Sequence, residues 1–251
     1  MDDLRATWWP YQPAQTQELS CGQVIDPPAL STNEAAPLGA MVWRLPDGLR
    51  ALSSAPVGGG FVAPAWLLNV RVDKDYCRVD IGQHISEVAT DFGLDSQGIG
   101  LLTAANIDHW RRSERPGISV DVSSGVGQPT FAAGPQGSWS DWKPGTINIV
   151  AHLDVALSPA AAVNAVITMT EAKSQALADL DIPGTGTATD AVVVLWPEVH
   201  HEQADFCGPR SKWGARLANA THEAVRDCTI ASTPWLSLPA TSVETACSLG
   251  Q

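Results

Sequence analysis

Positive charge is scarce in this chain. Lysine and arginine supply 15 of 251 residues against 27 aspartates and glutamates, for a net charge of -12. Phosphate backbones are held by clustered Lys and Arg, so the balance argues against nucleic acid as a partner. Long apolar runs are missing too. No stretch of about 18 residues is apolar enough to span a bilayer, and no membrane partner is expected. The opening Met1-Asp2-Asp3-Leu4 lacks the basic region and apolar core of a secretory signal. The five cysteines (Cys21, Cys77, Cys207, Cys228, Cys247) are scattered, with no CxxC and no Cys/His spacing, which argues against a zinc site. Reduced thiols, and hence a cytoplasmic protein, are the expectation. No GxSxG elbow and no P-loop occur, and Gly98-Ile99-Gly100 has no third glycine at dinucleotide spacing. Tyr and Phe are few, at 2 and 4, whereas Trp numbers 10. Most of the tryptophans are read as core or edge residues, and some can line a pocket for a flat ligand.

At this length one large domain or two small ones can form. Residues 1–37 read as an irregular arm with one short strand around 18–25, residues 38–230 as the domain, and 231–251 as a tail. Residues 41–45 and 49–53 flank Pro46-Asp47-Gly48, a strong turn signal, and read as a hairpin. Strands are expected at 66–72, 98–105, 118–122, 145–150 and 191–195 from alternation or apolar runs. Helices are expected at 81–92 and 215–228. A Gly/Ser-rich loop follows at 123–130, and 134–145 reads as a loop or flap. Val199-His200-His201-Glu202 lacks HExxH spacing, and adjacent histidines on a strand point apart, so no metal is expected. Strands and helices interleave without a clean βαβ rhythm. The fold class is therefore α+β or α/β, a single domain with a central mixed sheet and packed helices.

The most informative stretch is 146–190. Ser158-Pro159 is an N-cap and first-turn pair that opens a helix running to about Leu180, before Pro183-Gly184. Val163, Val166, Thr170, Lys173, Leu177 and Leu180 share one helical face, which places a lysine inside an otherwise apolar stripe. Glu171 and Lys173 on such a helix are either solvated charges or paired groups at a site. The alanine-rich surroundings favour a helix buried on most sides with its polar middle lining a site. A turn, Gly184-Thr185-Gly186-Thr187-Ala188-Thr189-Asp190, follows.

The strings Gly145-Thr146-Ile147-Asn148-Ile149, Thr170-Glu171-Ala172-Lys173 and the Gly184–Asp190 turn leading into Ala191-Val192-Val193-Val194 resemble the adenosylcobinamide amidohydrolase family of corrinoid salvage. So do Leu52-Ser53-Ser54-Ala55 with Gly58-Gly59-Gly60, Asn69-Val70-Arg71-Val72, Gly100-Leu101-Leu102-Thr103-Ala104-Ala105, and Gly208-Pro209-Arg210-Ser211-Lys212-Trp213-Gly214. The resemblance covers about residues 40–230. It departs at Gly58, where the family pattern usually has asparagine.

The resemblance implies hydrolysis of the aminopropanol amide of adenosylcobinamide to adenosylcobyric acid. The corrinoid is then the substrate and small-molecule partner, with no cofactor; the sequence sets no oligomeric state. Amide cleavage needs an activated nucleophile, oxyanion donors and an acid for the leaving amine. Glu171, Lys173 and Asp190 are the catalytic candidates. Lys173 can serve as oxyanion donor or base, Glu171 or Asp190 can activate water, and Thr187 or Thr170 offers a covalent route. Gly59, Gly60, Asn69, Thr103, Asn148, Thr170, Gly186 and Thr187 are the substrate-binding candidates. Two other readings stand beside this one: a corrinoid carrier without hydrolysis, and a Thr-type amidase on another amide that cleaves itself before a buried threonine.

Overall fold

Alternation along one strand sets the architecture. In β9 (Thr146–Leu153) all eight residues are buried. Ile147, Ile149, Ala151 and Leu153 join one apolar cluster, while Val150, facing the other way, joins a second. A strand covered on both faces needs a layer on each side, and the chain supplies both. The computed structural model describes residues 25–134 and 145–233. The expected strand at 18–25 and the flap at 134–145 lie, but for their end residues, outside the described residues.

One sheet has six strands in the order β4 (Gly60–Val62), β3 (Leu49–Ser53), β11 (Ala191–Pro197), β9, β8 (Ile118–Gly125) and β7 (Arg111–Arg115). β9 and β11 run parallel, and the remaining pairs are antiparallel. The other sheet has four strands: β1 (Ala29–Ser31), β2 (Ala40–Arg44), β5 (Trp66–Arg71) and β6 (Gly98–Thr103), with β5 and β6 parallel. β1 lies within the stretch read as an arm, and it pairs with β2. Two short strands, β10 (Ala156–Leu157) and β12 (Gln203–Ala204), form a small parallel pair.

The two sheets face each other through Met41, Trp43, Leu67, Ile99 and Leu101 on one side and Ala51, Val150, Val193 and Leu195 on the other. Burying each large side chain contributes roughly 1.5–3 kcal/mol. Helix α1 (Ile81–Asp91) covers the outer face of the four-stranded sheet through Ile85 and Val88. Helices α2 (Pro159–Ala178) and α3 (Lys212–Ser232) cover the outer face of the six-stranded one. The fold is α+β with mixed sheets, as expected from the sequence, and the layers run helix, sheet, sheet, helix.

Three local expectations are corrected. β2 and β3 do not form a hairpin: they belong to different sheets. The Pro46-Asp47-Gly48 turn, with Gly48 at φ +81, carries the chain from one sheet to the other, where β2 pairs with β5 and β3 with β11. α3 begins at Lys212, three residues before the expected start, because Ser211 caps it by accepting from the Gly214 amide at 3.0 Å; it also runs on to Ser232. In α2 the Ser158 cap is as expected, its hydroxyl accepting from Ala161 N at 3.2 Å. The buried face is the expected one only in part, at Lys173 and Leu177. Ala161, Ala165, Met169, Ala172 and Ala176 are inside, while Val163 is 46% exposed and Thr170 lies at the surface. Small side chains let α2 pack close to the sheet and α3, and that closeness outweighs the burial of β-branched residues.

Candidate functional site

Near one end of the seam between the sheets, the inward-facing positions become polar. Asn69 on β5, Thr103 on β6, Ser123 on β8 and Asn148 on β9 are all at most 2% exposed. Buried amides need partners, and they find them in each other. Asn148 Nδ2 donates to Asn69 Oδ1 at 2.9 Å and to the Leu102 carbonyl at 2.9 Å, and Asn69 Nδ2 donates to Ser123 Oγ at 2.8 Å. Both donor hydrogens of Asn148 are thus used, which fixes its Oδ1 as an acceptor, and that oxygen has no partner among the described residues. Asn148 and Thr103 line a cavity of about 430 Å³ at the ends of β5, β6, β9 and β11.

Asp190, at the start of β11, lines the same cavity. Its carboxylate pairs with Lys173 Nζ from α2. It also accepts from Thr187 N at 3.1 Å and Ile147 N at 3.0 Å, with the Thr187 hydroxyl placed between it and the Gly145 carbonyl. The side chains of the pair are only 10% and 12% exposed, as a buried charge requires when paired. Gly186 packs against both members, and a Cβ there would fall on the Asp190 carboxylate and the Lys173 ammonium. Two threonine hydroxyls, Thr146 and Thr189, meet at 2.8 Å on the cavity wall.

The structure therefore brings together Asn69, Thr103, Asn148, Lys173, Gly186, Thr187 and Asp190. Only Thr103, Asn148 and Asp190 of these line the cavity, and Lys173 stands behind Asp190. Glu171 is not brought in. It is exposed on the helix, because two residues from Lys173 means about 200° around the axis. Thr170 is exposed as well, its hydroxyl donating to the Val166 carbonyl one turn back at 2.8 Å. Gly59 and Gly60 line neither this cavity nor the larger one beside it. In that loop a Cβ on Gly58, at φ +69, would fall on the Gly98 carbonyl, and one on Gly59 would fall on the Ala55 carbonyl. Close approach there is to the protein's own backbone.

Sequence reasoning missed Ser54, Asp73, Tyr76, Arg78, Thr146 and Thr189, all on the cavity wall. Asp73 lies two residues beyond the end of β5, where strand alternation no longer reports which way a side chain faces. A larger cavity of about 660 Å³ adjoins at Ala104, lined by Arg71, Lys74, Asn106 and the glycine-rich backbone at 125–127. The two share Ala104 on their walls. Burial pushes the Cys207 and Cys228 thiols up, to about 11 and about 12, so neither is a ready nucleophile. His200 and His201 do not point apart; their rings lie 4.0 Å apart. Among the described residues no three His, Cys, Asp or Glu side chains cluster as metal ligands, and no helix is long and apolar enough to cross a membrane.

The family model for adenosylcobinamide amidohydrolase matches residues 28–235. A Methanosarcina mazei protein named adenosylcobinamide amidohydrolase is 31% identical over 168 residues, covering 66% of this chain and 77% of that protein. A Halobacterium salinarum protein of the same name is 31% identical over 189 residues, covering 71% and 79%. Among solved structures, the PH0078 protein from Pyrococcus horikoshii OT3 is 15% identical with a TM-score of 0.38, covering 77% of this chain and 76% of that one. With a family match across the whole two-sheet fold, the chain belongs to the adenosylcobinamide amidohydrolase family, enzymes that hydrolyse an amide.

Proposed function

We propose that this protein hydrolyses the amide joining the aminopropanol arm to adenosylcobinamide, releasing adenosylcobyric acid for reuse in cobalamin assembly, and that it does so in the cytoplasm. The observation that supports the reading is a cavity walled by Asp190, Thr103 and Asn148, where Asn148 Oδ1 is a buried acceptor with no partner among the described residues. Leaving such an atom unpaired costs about 1–3 kcal/mol. A secondary amide has one N–H, and that N–H is the donor the oxygen lacks. The larger cavity would take the bulk of the corrinoid, with backbone amides and Asn106 facing its carboxamides. Lys173 holds Asp190, and Asp190 holds the Thr187 turn against β9; we assign this pair to supporting the site's charge and shape. The corrinoid is substrate in this scheme, and no separate cofactor is invoked.

The test is chromatographic detection of adenosylcobyric acid from purified protein and adenosylcobinamide, beside a binding titration. Product formation is the expected result. Tight binding without product would favour a carrier, and neither binding nor product would leave only shared ancestry.

A further inference from the structure

Amide hydrolysis by water needs a base with a free lone pair at the reacting centre. Four ionisable side chains line the smaller cavity: Asp73, Tyr76, Arg78 and Asp190. Three are engaged. Asp190 is held by the Lys173 ammonium and by the amides of Ile147 and Thr187, with the Thr187 hydroxyl placed between it and the Gly145 carbonyl. Arg78 is bound by Asp80 and Glu87, through Nη2 at 2.7 Å and Nη1 at 2.9 Å. The Tyr76 hydroxyl is 2.8 Å from His84 Nδ1. Asp73 differs. Its Oδ1 accepts from the Asp75 amide at 2.9 Å, an Asx turn that fixes the side chain. Its Oδ2 makes no hydrogen bond and no ion pair among the described residues, and the residue is exposed to the cavity.

Resting on the amidase reading above, we infer that Asp73 is the general base of this enzyme. Water enters between Asp73 and the scissile amide. The Asp73 carboxylate takes one proton as the water oxygen bonds to the carbonyl carbon, giving a tetrahedral intermediate. Collapse breaks the C–N bond, and the protonated Asp73 returns its proton to the departing nitrogen. The products are a carboxylic acid and a free amine, which exchange a proton in solution, and Asp73 ends as it began. Asn148 Oδ1 accepts the substrate N–H throughout and turns the carbonyl carbon towards the water. Asp190, held by Lys173 and two backbone amides, shapes the cavity wall.

The experiment compares wild type, Asp73→Asn and Asp73→Ala in product formation and in equilibrium binding of adenosylcobinamide. Wild-type turnover is measured first, so that failure of the amidase reading itself is seen separately. Given an active wild type, Asp73→Asn is expected to lower kcat about 100-fold or more with Kd changed less than about threefold. Added formate should restore part of the Asp73→Ala turnover by standing in for the carboxylate. Turnover of Asp73→Asn within tenfold of wild type would overturn the inference. So would equal losses in binding and turnover without formate rescue.

Discussion

The seam between the sheets buries a carboxylate at each end, and the two are held differently. At the far end Asp121 is 1% exposed and lines neither of the two cavities. It has Arg112 Nη1 at 3.0 and 3.2 Å and Trp43 Nε1 at 3.3 Å. Burial pushes its carboxyl up to about 6 even with Arg112 pulling the other way. At the open end Asp190 is held by Lys173 and two backbone amides and keeps one side against the cavity. A carboxylate beside a cation is therefore no mark of a site by itself. Asp121 clamps two sheets together, whereas Asp190 ties together the backbone segments that shape a cavity.

The largest expected effect breaks the open end. Asp190→Asn leaves the Lys173 ammonium buried and unpaired, and should cost about 3–5 kcal/mol in denaturant unfolding together with most of the turnover. The double variant Lys173→Met, Asp190→Asn should recover much of that stability and none of the activity. Equal losses in the single and double variants would show that the pair is not coupled.

The far end can be separated by pH. Asp121 binds its proton more tightly folded than unfolded, so its contribution to stability falls as pH rises from about 4 to 6. His152, also in the seam, is held down to about 4, by burial first and Arg112 second. The unfolded chain protonates there near 6.5, so the His152 contribution falls as pH drops through nearly the same window. The two slopes oppose each other. Relative to wild type, His152→Gln should lose stability from pH 4 to 6, and Asp121→Asn should gain it, each by roughly 3 kcal/mol across the window. Urea midpoints at several pH values check this, and parallel profiles for all three proteins would contradict it.

Gly186→Ala should cost about 1–3 kcal/mol through overpacking against the Lys173–Asp190 pair, with a matching fall in melting temperature. An unchanged midpoint would mean that the turn relaxes freely. The smallest effect belongs to Glu171→Gln, which should stay within about 0.5 kcal/mol of wild type and keep its turnover, because Glu171 is exposed away from the cavity. A large loss of turnover would return Glu171 to the reaction.

What the amino-acid sequence determined by itself is local or serial. The Ser158 cap, the α2 helix and the β9 and β11 strands follow from capping chemistry and side-chain period. The order of short strings along the chain was enough to place the family. Asn148 was legible because it lies in one of those strings, and Lys173 because it breaks an apolar stripe. Tertiary structure decided the rest. That β2 and β3 part company across Pro46-Asp47-Gly48, that Lys173 turns inward while Glu171 turns out, and that Asp73 reaches a wall shared with Asp190 all depend on which distant surfaces meet. Period and caps report the energy of a residue with its near neighbours. The choice between two sheets is set by contacts more than 100 residues apart along the chain, such as those joining β3 to β11, and the engagement of Asp190 by a lysine on a separate helix.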